Sequence, residues 1–166
     1  MQLGRSTRMK KLAFYIAGVF GLTGIDLFTK YLAKVHLVNR EIMLVNDFLR
    51  LQYVTNDGIS FGFFSGNRFM ILVNPVIAIF IVQMIHFIFL KKYKIAHVAN
   101  VFMIAGFFGN YIERVMLGAV TDFISISGFA IFNFADIWIS IWEIIFIILM
   151  CHIAWEDNKK KKKEKI

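Results

Sequence analysis

The sequence predicts an all-α membrane protein, a four-transmembrane-helix bundle that carries a small extracytoplasmic β-sheet. Three observations predict this fold class. Apolar residues make up 58% of the chain, whereas soluble domains contain roughly 45–50%. Four stretches reach the length of about 20 mostly apolar residues that a transmembrane helix needs. Between the first two stretches, polar and apolar residues alternate in the way that is typical of a β-strand.

The four predicted spans are long and apolar, and the whole chain contains a single proline. They cover residues 12–32, 69–90, 95–116 and 134–154. Basic residues precede the first span, as in a signal peptide, but no convincing small-residue cleavage site follows it. We therefore expect an uncleaved anchor and a single integral membrane domain over residues 1–155.

Basic residues are unevenly distributed along the chain. Of the 19 Lys and Arg residues, four precede the first span, three lie between spans two and three, and six follow span four. Short segments rich in Lys and Arg stay in the cytoplasm. We therefore expect both termini to be cytoplasmic, with residues 156–166 as a basic tail. The net charge of +8 is then a topology signal, and we expect no nucleic-acid partner.

The outer segments differ in length. The first covers residues 34–68, and within it residues 49–55 alternate and are rich in strand-forming side chains. Residues 56–58 (NDG) are typical of a tight turn, which predicts a hairpin with a second strand at residues 59–61. The second outer segment, residues 117–132, is interpreted as a short connection.

Ionisable groups inside transmembrane helices are costly and are therefore candidates for function. Spans one, three and four each place polar residues toward the predicted external side, so we expect these residues to converge at one depth. They are Asp26 and Lys30 in span one, Asn110, Glu113 and Arg114 in span three, and Asn133 and Asp136 at the start of span four. Asp122 follows span three. Glu143, two turns after Asp136, is expected to face the bundle interior.

Several of these residues also have a structural interpretation. Asp26 and Lys30 are four residues apart on a helix and can form an ion pair. Asn110 and Asn133 can join helices by hydrogen bonds. Charge placement alone leaves these interpretations open.

Three functions are compatible with the acidic residues. Asp122 and Asp136 can form a catalytic carboxyl pair, or the acids can relay protons in a small membrane transporter or lipid-binding protein. A membrane scaffold, in which either Asp serves stability alone, is the third interpretation. The four His residues share no metal-ligand spacing, and the single Cys151 cannot form an intrachain disulfide. We therefore expect no metal site.

Five short segments resemble the motifs of lipoprotein signal peptidases (signal peptidase II), a family of aspartic peptidases. They are residues 26–30 (DLFTK), 56–62 (NDGISFG), 109–114 (GNYIER), 118–123 (GAVTDF) and 132–136 (FNFAD). Each segment is short, but together they follow the family's order and extend over nearly the whole chain. The fold of that family, a four-helix membrane bundle with an external sheet, agrees with the predicted fold class.

The resemblance implies a reaction and a substrate. Members of the family are endopeptidases that remove the signal peptide from a bacterial prolipoprotein, and they cleave before a cysteine that carries diacylglycerol. The chain is then expected in the bacterial inner membrane, where it contacts a lipidated prolipoprotein and membrane lipid. The resemblance implies no metal and no cofactor, and we expect a monomer.

The resemblance also implies roles for individual residues. The family's catalytic aspartates match Asp122 and Asp136. Its substrate-positioning residues match Asn56, Asn110, Arg114 and Asn133. The residues that match structural supports are Asp26, Lys30 and Glu113. Glu113 stands where the family usually has Asp, so its side chain is longer by one methylene. Residues 59–60 also depart from the small pair that is commoner there.

Overall fold

The computed structural model describes residues 2–58 and 67–163. The helices are α1 (Gln2–His36), α2 (Arg68–Ile85), α3 (Lys94–Leu117) and α4 (Phe134–Lys163). The strands are β1 (Ile42–Val45), β2 (Leu49–Asn56), β3 (Val120–Ile126) and β4 (Ala130–Phe132). The predicted fold class is confirmed, because four long apolar helices carry one small antiparallel sheet.

All four helices are long and apolar enough to cross a membrane. Many of their large apolar side chains, such as Phe14, Phe80 and Ile147, are exposed on the surface of the bundle. Lipid tails are as apolar as these side chains, so exposure to the bilayer carries no penalty. A π-helical turn, His86–Leu90, extends α2. α4 continues to Lys163, beyond the predicted end of span four, so the basic segment begins as a helix.

α3 is the central helix of the bundle. Half of its membrane-spanning stretch is buried (50%), against 11% for each of the other spans. It packs against α1, α2 and α4, and its interface with α4 includes Met103 and Trp142. α3 ends at Gly118, whose φ of 76° lies in the left-handed region that glycine adopts without strain. This cap turns the chain directly into β3.

The sheet joins the two outer segments of the chain. Its strand order is β1-β2-β3-β4, and all neighbouring strands are antiparallel. In the central pair, Thr55 of β2 lies opposite Thr121 of β3. Phe123 of β3 packs against Ala33 of α1 and against Phe134 at the start of α4. The sheet therefore rests on the bundle where α1 ends and α4 begins.

The strand predicted over residues 49–55 is confirmed as β2 (Leu49–Asn56). The second predicted strand, residues 59–61, lies outside the described residues. Residues 117–132, for which no strand was predicted, contain β3 and β4. The sequence contains features that favour these strands, because β3 is rich in β-branched residues. In the structure, Gly128 lies in the turn from β3 to β4 with a φ of 73°.

Candidate active site

The first turn of α4 contains a reciprocal pair of hydrogen bonds between Asn133 and Asp136. Oδ1 of Asn133, which precedes the helix, accepts from the backbone N–H of Asp136 at 3.0 Å. Oδ2 of Asp136 accepts from the backbone N–H of Asn133 at 3.1 Å. This is the pattern of a capping box, which satisfies donors at a helix start. It fixes the Asp136 carboxyl where the positive end of the helix dipole stabilises a negative charge.

Asn133 also contacts Asp122 and so connects the two aspartates that match the family's catalytic pair. Its Nδ2 donates to Oδ1 of Asp122 at 2.6 Å. The other carboxyl oxygen of Asp122 accepts from Nδ2 of Asn56 at 3.2 Å. Asn56 is itself held, because its Oδ1 accepts from the backbone N–H of Gly58 at 3.0 Å. Two strands and the start of α4 therefore meet at the Asp122 carboxyl.

Asn110 of α3 connects Asp136 to a buried lysine. Its Nδ2 donates to Oδ1 of Asp136 at 2.8 Å. Its Oδ1 accepts from Nζ of Lys30 at 2.8 Å and from Nδ2 of Asn133 at 3.1 Å. The interhelical hydrogen bond considered for the two asparagines is therefore present. Both amides hold carboxyl groups, and their role in positioning substrate stays a prediction.

Asp26 and Lys30 form a buried ion pair on α1. The ammonium and the carboxylate are 2.8 Å apart, with side-chain exposures of 1% and 0%. The second oxygen of Asp26 accepts from the backbone N–H of Ala135, in the first turn of α4, at 2.7 Å. A side chain at Gly109 would collide with the Asp26 carboxyl and with Ala135. α1, α3 and α4 are thus joined tightly beneath the carboxyl pair.

Glu113 holds the strand that carries Asp122. Its Oε2 accepts from the backbone N–H of Thr121 at 2.8 Å, and its Oε1 accepts from the Thr121 hydroxyl at 2.9 Å. Nζ of Lys30 lies 3.4 Å from Oε2. Thr121 was not among the predicted site residues. Nothing in the sequence indicated it, because a threonine is common in any β-strand.

Arg114 follows Glu113 on α3. It is half-buried, and its guanidinium is close enough to interact electrostatically with Asp136 and Asp122. Its Nε is buried and has no hydrogen-bond partner within the described part of the chain. Arg114 therefore has donor capacity that its described surroundings do not use.

Glu143 lies apart from this group. It is exposed on α4, so the expectation that it faces the bundle interior is wrong. Within residues 2–58 and 67–163, no three His, Cys, Asp or Glu side chains are arranged to hold a metal ion. The carboxyls of the site are bonded to amide, ammonium and hydroxyl donors.

Asp122 lies in β3, outside the membrane-spanning helices, and is buried. Burial, and next the negative charge of Asp136, raise the pKa of Asp122 from 3.8 to about 6. Hydrogen bonds from Asn56 and Asn133 act in the opposite direction. A carboxyl that keeps its proton up to about pH 6 is suited to general acid catalysis. Two nearby carboxyls in different protonation states are the chemical requirement of an aspartic peptidase.

The family model described as Signal peptidase (SPase) II matches residues 18–152. The chain belongs to the signal peptidase II family. It is therefore a peptidase, and the predicted enzyme class is confirmed. The match covers every residue that the sequence analysis assigned to the site. It favours the peptidase over the transporter or lipid-binding alternative.

Two bacterial proteins illustrate the similarity of this peptidase to known relatives. The lipoprotein signal peptidase of Fusobacterium nucleatum is 32% identical over 145 residues, which are 83% of this chain and 85% of that protein. The lipoprotein signal peptidase of Thermodesulfovibrio yellowstonii is 36% identical over 135 residues, with coverages of 78% and 88%. With its four apolar helices, the peptidase is a multi-pass protein of the bacterial inner membrane.

Two solved structures, both described as bacterial membrane enzymes studied by the in meso method, share the fold of the peptidase. The first, at 2.3 Å resolution, has a TM-score of 0.72 and 28% identity, and the match covers 90% of this chain and 92% of that chain. The second, at 1.9 Å, has a TM-score of 0.71 and 29% identity, with coverages of 83% and 92%.

Proposed function

We propose that this peptidase removes the signal peptide from bacterial prolipoproteins by cleaving before a diacylglyceryl-modified cysteine, with Asp122 and Asp136 as the catalytic carboxyl pair. The observation that carries the proposal is the double contact of Asn133. Its side chain bonds Asp122 and its backbone N–H bonds Asp136. The substrate class follows from similarity to lipoprotein signal peptidases.

The two carboxyls are assigned different roles. Asp136, in the first turn of α4, accepts from Nδ2 of Asn110 and from the backbone N–H of Asn133. These two donors and the N-terminal end of α4 stabilise a negative charge, so Asp136 takes a proton from the attacking water. Asp122, whose pKa is raised to about 6, is the protonated partner that polarises the scissile carbonyl. Asp136 then gives its proton to the leaving amide nitrogen as the C–N bond breaks, and Asp122 recovers its proton from the carbonyl oxygen as the new carboxyl group forms. The titration of two interacting carboxyls belongs to the pair rather than to either residue.

The neighbouring residues divide into two groups in this proposal. Asn56, at the end of β2, and Arg114, on α3, are half-buried and are the residues proposed to contact the substrate. Asn110 and Asn133 orient the two carboxyls and are 6% and 0% exposed. The buried acids and lysine beneath them, Asp26, Lys30 and Glu113, support the elements that converge on the site.

The site lies between the sheet and the ends of the helices, which suits a substrate that is part peptide and part lipid. Apolar side chains on the bundle surface offer contacts to acyl chains at the same depth. We place both termini in the cytoplasm, because the basic segments lie at the opposite end of the bundle from the sheet. The sheet and the carboxyl pair are then extracytoplasmic. A single copy of the chain supplies every residue of the proposed site, which favours a monomer.

The decisive experiment incubates the purified protein in detergent with a diacylglyceryl-modified prolipoprotein and follows cleavage by mass. Asp122→Asn and Asp136→Asn are each expected to reduce the cleavage rate by about 10²–10⁴-fold, the usual contribution of an acid or base. Both variants should still unfold in a cooperative transition, which shows that they fold. Asp47→Asn, in the exposed β1–β2 turn, is the matched control and should cleave normally.

Substrate specificity is tested by the same prolipoprotein with an unmodified cysteine, which should not be cleaved. Cleavage at the wild-type rate by either aspartate variant would remove that residue from the catalytic pair. Failure of the folded wild type to cleave several lipidated substrates would overturn the proposed function.

A further inference from the structure

Thr121 immediately precedes Asp122 in β3 and is held at three of its own polar atoms. Its backbone N–H and its hydroxyl both donate to the Glu113 carboxylate, at 2.8 and 2.9 Å. Its carbonyl accepts from Nδ2 of Asn133 at 3.3 Å. Thr121 is 2% exposed, so it lies beyond the reach of substrate. These contacts fix the strand at the residue next to Asp122.

Both oxygens of Glu113 accept from Thr121, and one of them also lies near a buried lysine. Lys30, on α1, lies 3.4 Å from Oε2. A buried carboxylate needs this compensation, because burial of an unpaired charge is costly. The clamp therefore connects three elements: Lys30 on α1, Glu113 on α3 and Thr121 on β3. None of these three side chains bonds directly to Asp122 or Asp136 within the described residues.

The position of Asp122 depends on β3, whereas the position of Asp136 depends on α4. A carboxyl pair functions only when both members keep their mutual geometry, and a displacement of about 1 Å can reduce a rate about 10²-fold. Asp122 has two hydrogen bonds of its own, from Asn56 and Asn133, but amide side chains can follow a shifted carboxyl. Of the two Glu113 contacts, one holds the backbone N–H of Thr121 and the other holds its hydroxyl, so together they oppose a shift of the strand itself.

We propose that Glu113 and Thr121 form a positioning clamp that sets the place of Asp122 relative to Asp136, which makes Thr121 a positioning residue of the peptidase. The inference rests on the proposed function of the carboxyl pair. The proposal also assigns a role to the Glu113 side chain, which is one methylene longer than the aspartate that the family usually has there. Glu113 reaches both the backbone N–H and the hydroxyl of Thr121, and the pairing requires a residue with a hydroxyl at position 121.

The test compares Thr121→Val, which keeps the shape of the side chain and removes the hydroxyl, with Thr121→Ser, which keeps the hydroxyl. The full-length protein is assayed in detergent with a diacylglyceryl-modified prolipoprotein. Thr121→Val is expected to lower kcat by about 10- to 100-fold, with KM within about twofold of the wild type, because Thr121 does not contact substrate. Thr121→Ser should restore most of kcat. The pH dependence of kcat for Thr121→Val should also differ from that of the wild type, because the coupling between the two carboxyls depends on the distance between them.

Thr55→Val is the matched control. Thr55 lies opposite Thr121 in the sheet and is exposed, so the same substitution there should leave kcat and the pH profile unchanged. Glu113→Gln tests the other half of the clamp. In a Glu113→Gln background, Thr121→Val should reduce kcat by no more than about twofold further, because residues in one network are not additive.

The outcomes separate the clamp from the proposed function. If the wild type and Thr121→Val cleave with equal kcat and identical pH profiles, the clamp is overturned, even if Thr121→Val lowers the Tm. If Thr121→Ser is as slow as Thr121→Val, the hydroxyl contact is not the cause and the inference fails. If the folded wild type does not cleave lipidated substrate, the proposed function fails and the clamp fails with it.

Discussion

A 2.6 Å hydrogen bond joins Nδ2 of Asn133 to Oδ1 of Asp122. Asn133 is fully buried, and the same side chain caps α4 through the backbone N–H of Asp136. One residue therefore serves both the start of a helix and the alignment of two carboxyls. Among the described residues, a second asparagine cap serves only a helix. Oδ1 of Asn67 accepts from the backbone N–H of Met70 at the start of α2, at 3.1 Å.

Asn133→Ala and Asn67→Ala should therefore separate capping from catalysis. Loss of the cap is expected to lower the free energy of unfolding by about 0.5–2 kcal/mol in both variants. Only Asn133→Ala should also reduce kcat, by about 10²-fold, because misplacement of catalytic groups has this effect. Thermal unfolding and cleavage of lipidated substrate are the measurements. Equal kcat in the two variants would show that Asn133 only caps α4.

Lys30→Met should strongly destabilise the protein. It leaves Asp26 buried without its counter-charge, and loss of one partner of a buried ion pair costs about 3–5 kcal/mol. The exposed pair of Arg50 and Glu41, 3.3 Å apart, is the control, and Glu41→Gln should change stability by about 0–1 kcal/mol. The measurement is denaturant or thermal unfolding in detergent. Similar losses in the two variants would contradict the importance of the buried pair.

Gly109→Ala should weaken the packing of α1, α3 and α4. The new methyl group would meet the carboxyl of Asp26 and the Cβ of Ala135, and overpacking of a tight interface costs about 1–3 kcal/mol. Gly24→Ala on α1 is the control, because no atom lies within 4 Å of a Cβ at that position. It should be neutral or stabilising by up to about 1 kcal/mol through helix propensity. Equal Tm values for the two variants would overturn this account of Gly109.

The stability of the protein should depend on pH through Asp122. Its pKa is raised from 3.8 to about 6 in the folded state, so between these values the folded protein binds more protons than the unfolded chain. The free energy of unfolding then falls as pH rises from about 4 to about 6, by at most about 3 kcal/mol. Asp122→Asn removes this dependence, so its Tm should rise relative to wild type across that range. Parallel Tm curves would contradict the raised pKa.

Cleavage activity should fall on the alkaline side. Asp122 acts in its protonated form in the proposed mechanism, and deprotonation with an apparent pKa near about 6 removes the proton that polarises the carbonyl. We expect kcat/KM to decrease about tenfold per pH unit well above that value, reporting the titration of the pair. The measurement is a pH profile under conditions where substrate and detergent charge do not change. A flat kcat/KM profile between about pH 5 and 8, where the pair should titrate, would contradict the assignment of Asp122 as the protonated residue.

Much of the architecture could be predicted from local sequence. A helix that crosses a bilayer needs only a sufficient apolar length, and the sequence of each span contains that length. The alternation of polar and apolar residues predicted the strand β2. A helix cap such as Asn133, with Asp136 three residues later, also has a local sequence signature. The spacing of Asp26 and Lys30 likewise predicted their ion pair.

The site depended on pairings that local sequence does not encode. Asp26 bonds Ala135 across 109 positions of the chain, and Asn56 bonds Asp122 across 66. Glu113 and Thr121 are close in sequence, yet their contact depends on the turn at Gly118 and on the pairing of β3 with β2.

The sequence by itself therefore determined four spans, one strand, the family and the depth at which polar residues gather. Only the tertiary structure decided that Asp122 lies in a strand, that Asn133 joins it to Asp136, and that Thr121 bonds Glu113. The physical reason is that apolar length and periodicity act within one segment, whereas each buried polar group must find a partner. That partner is selected by the packing of the whole bundle and sheet.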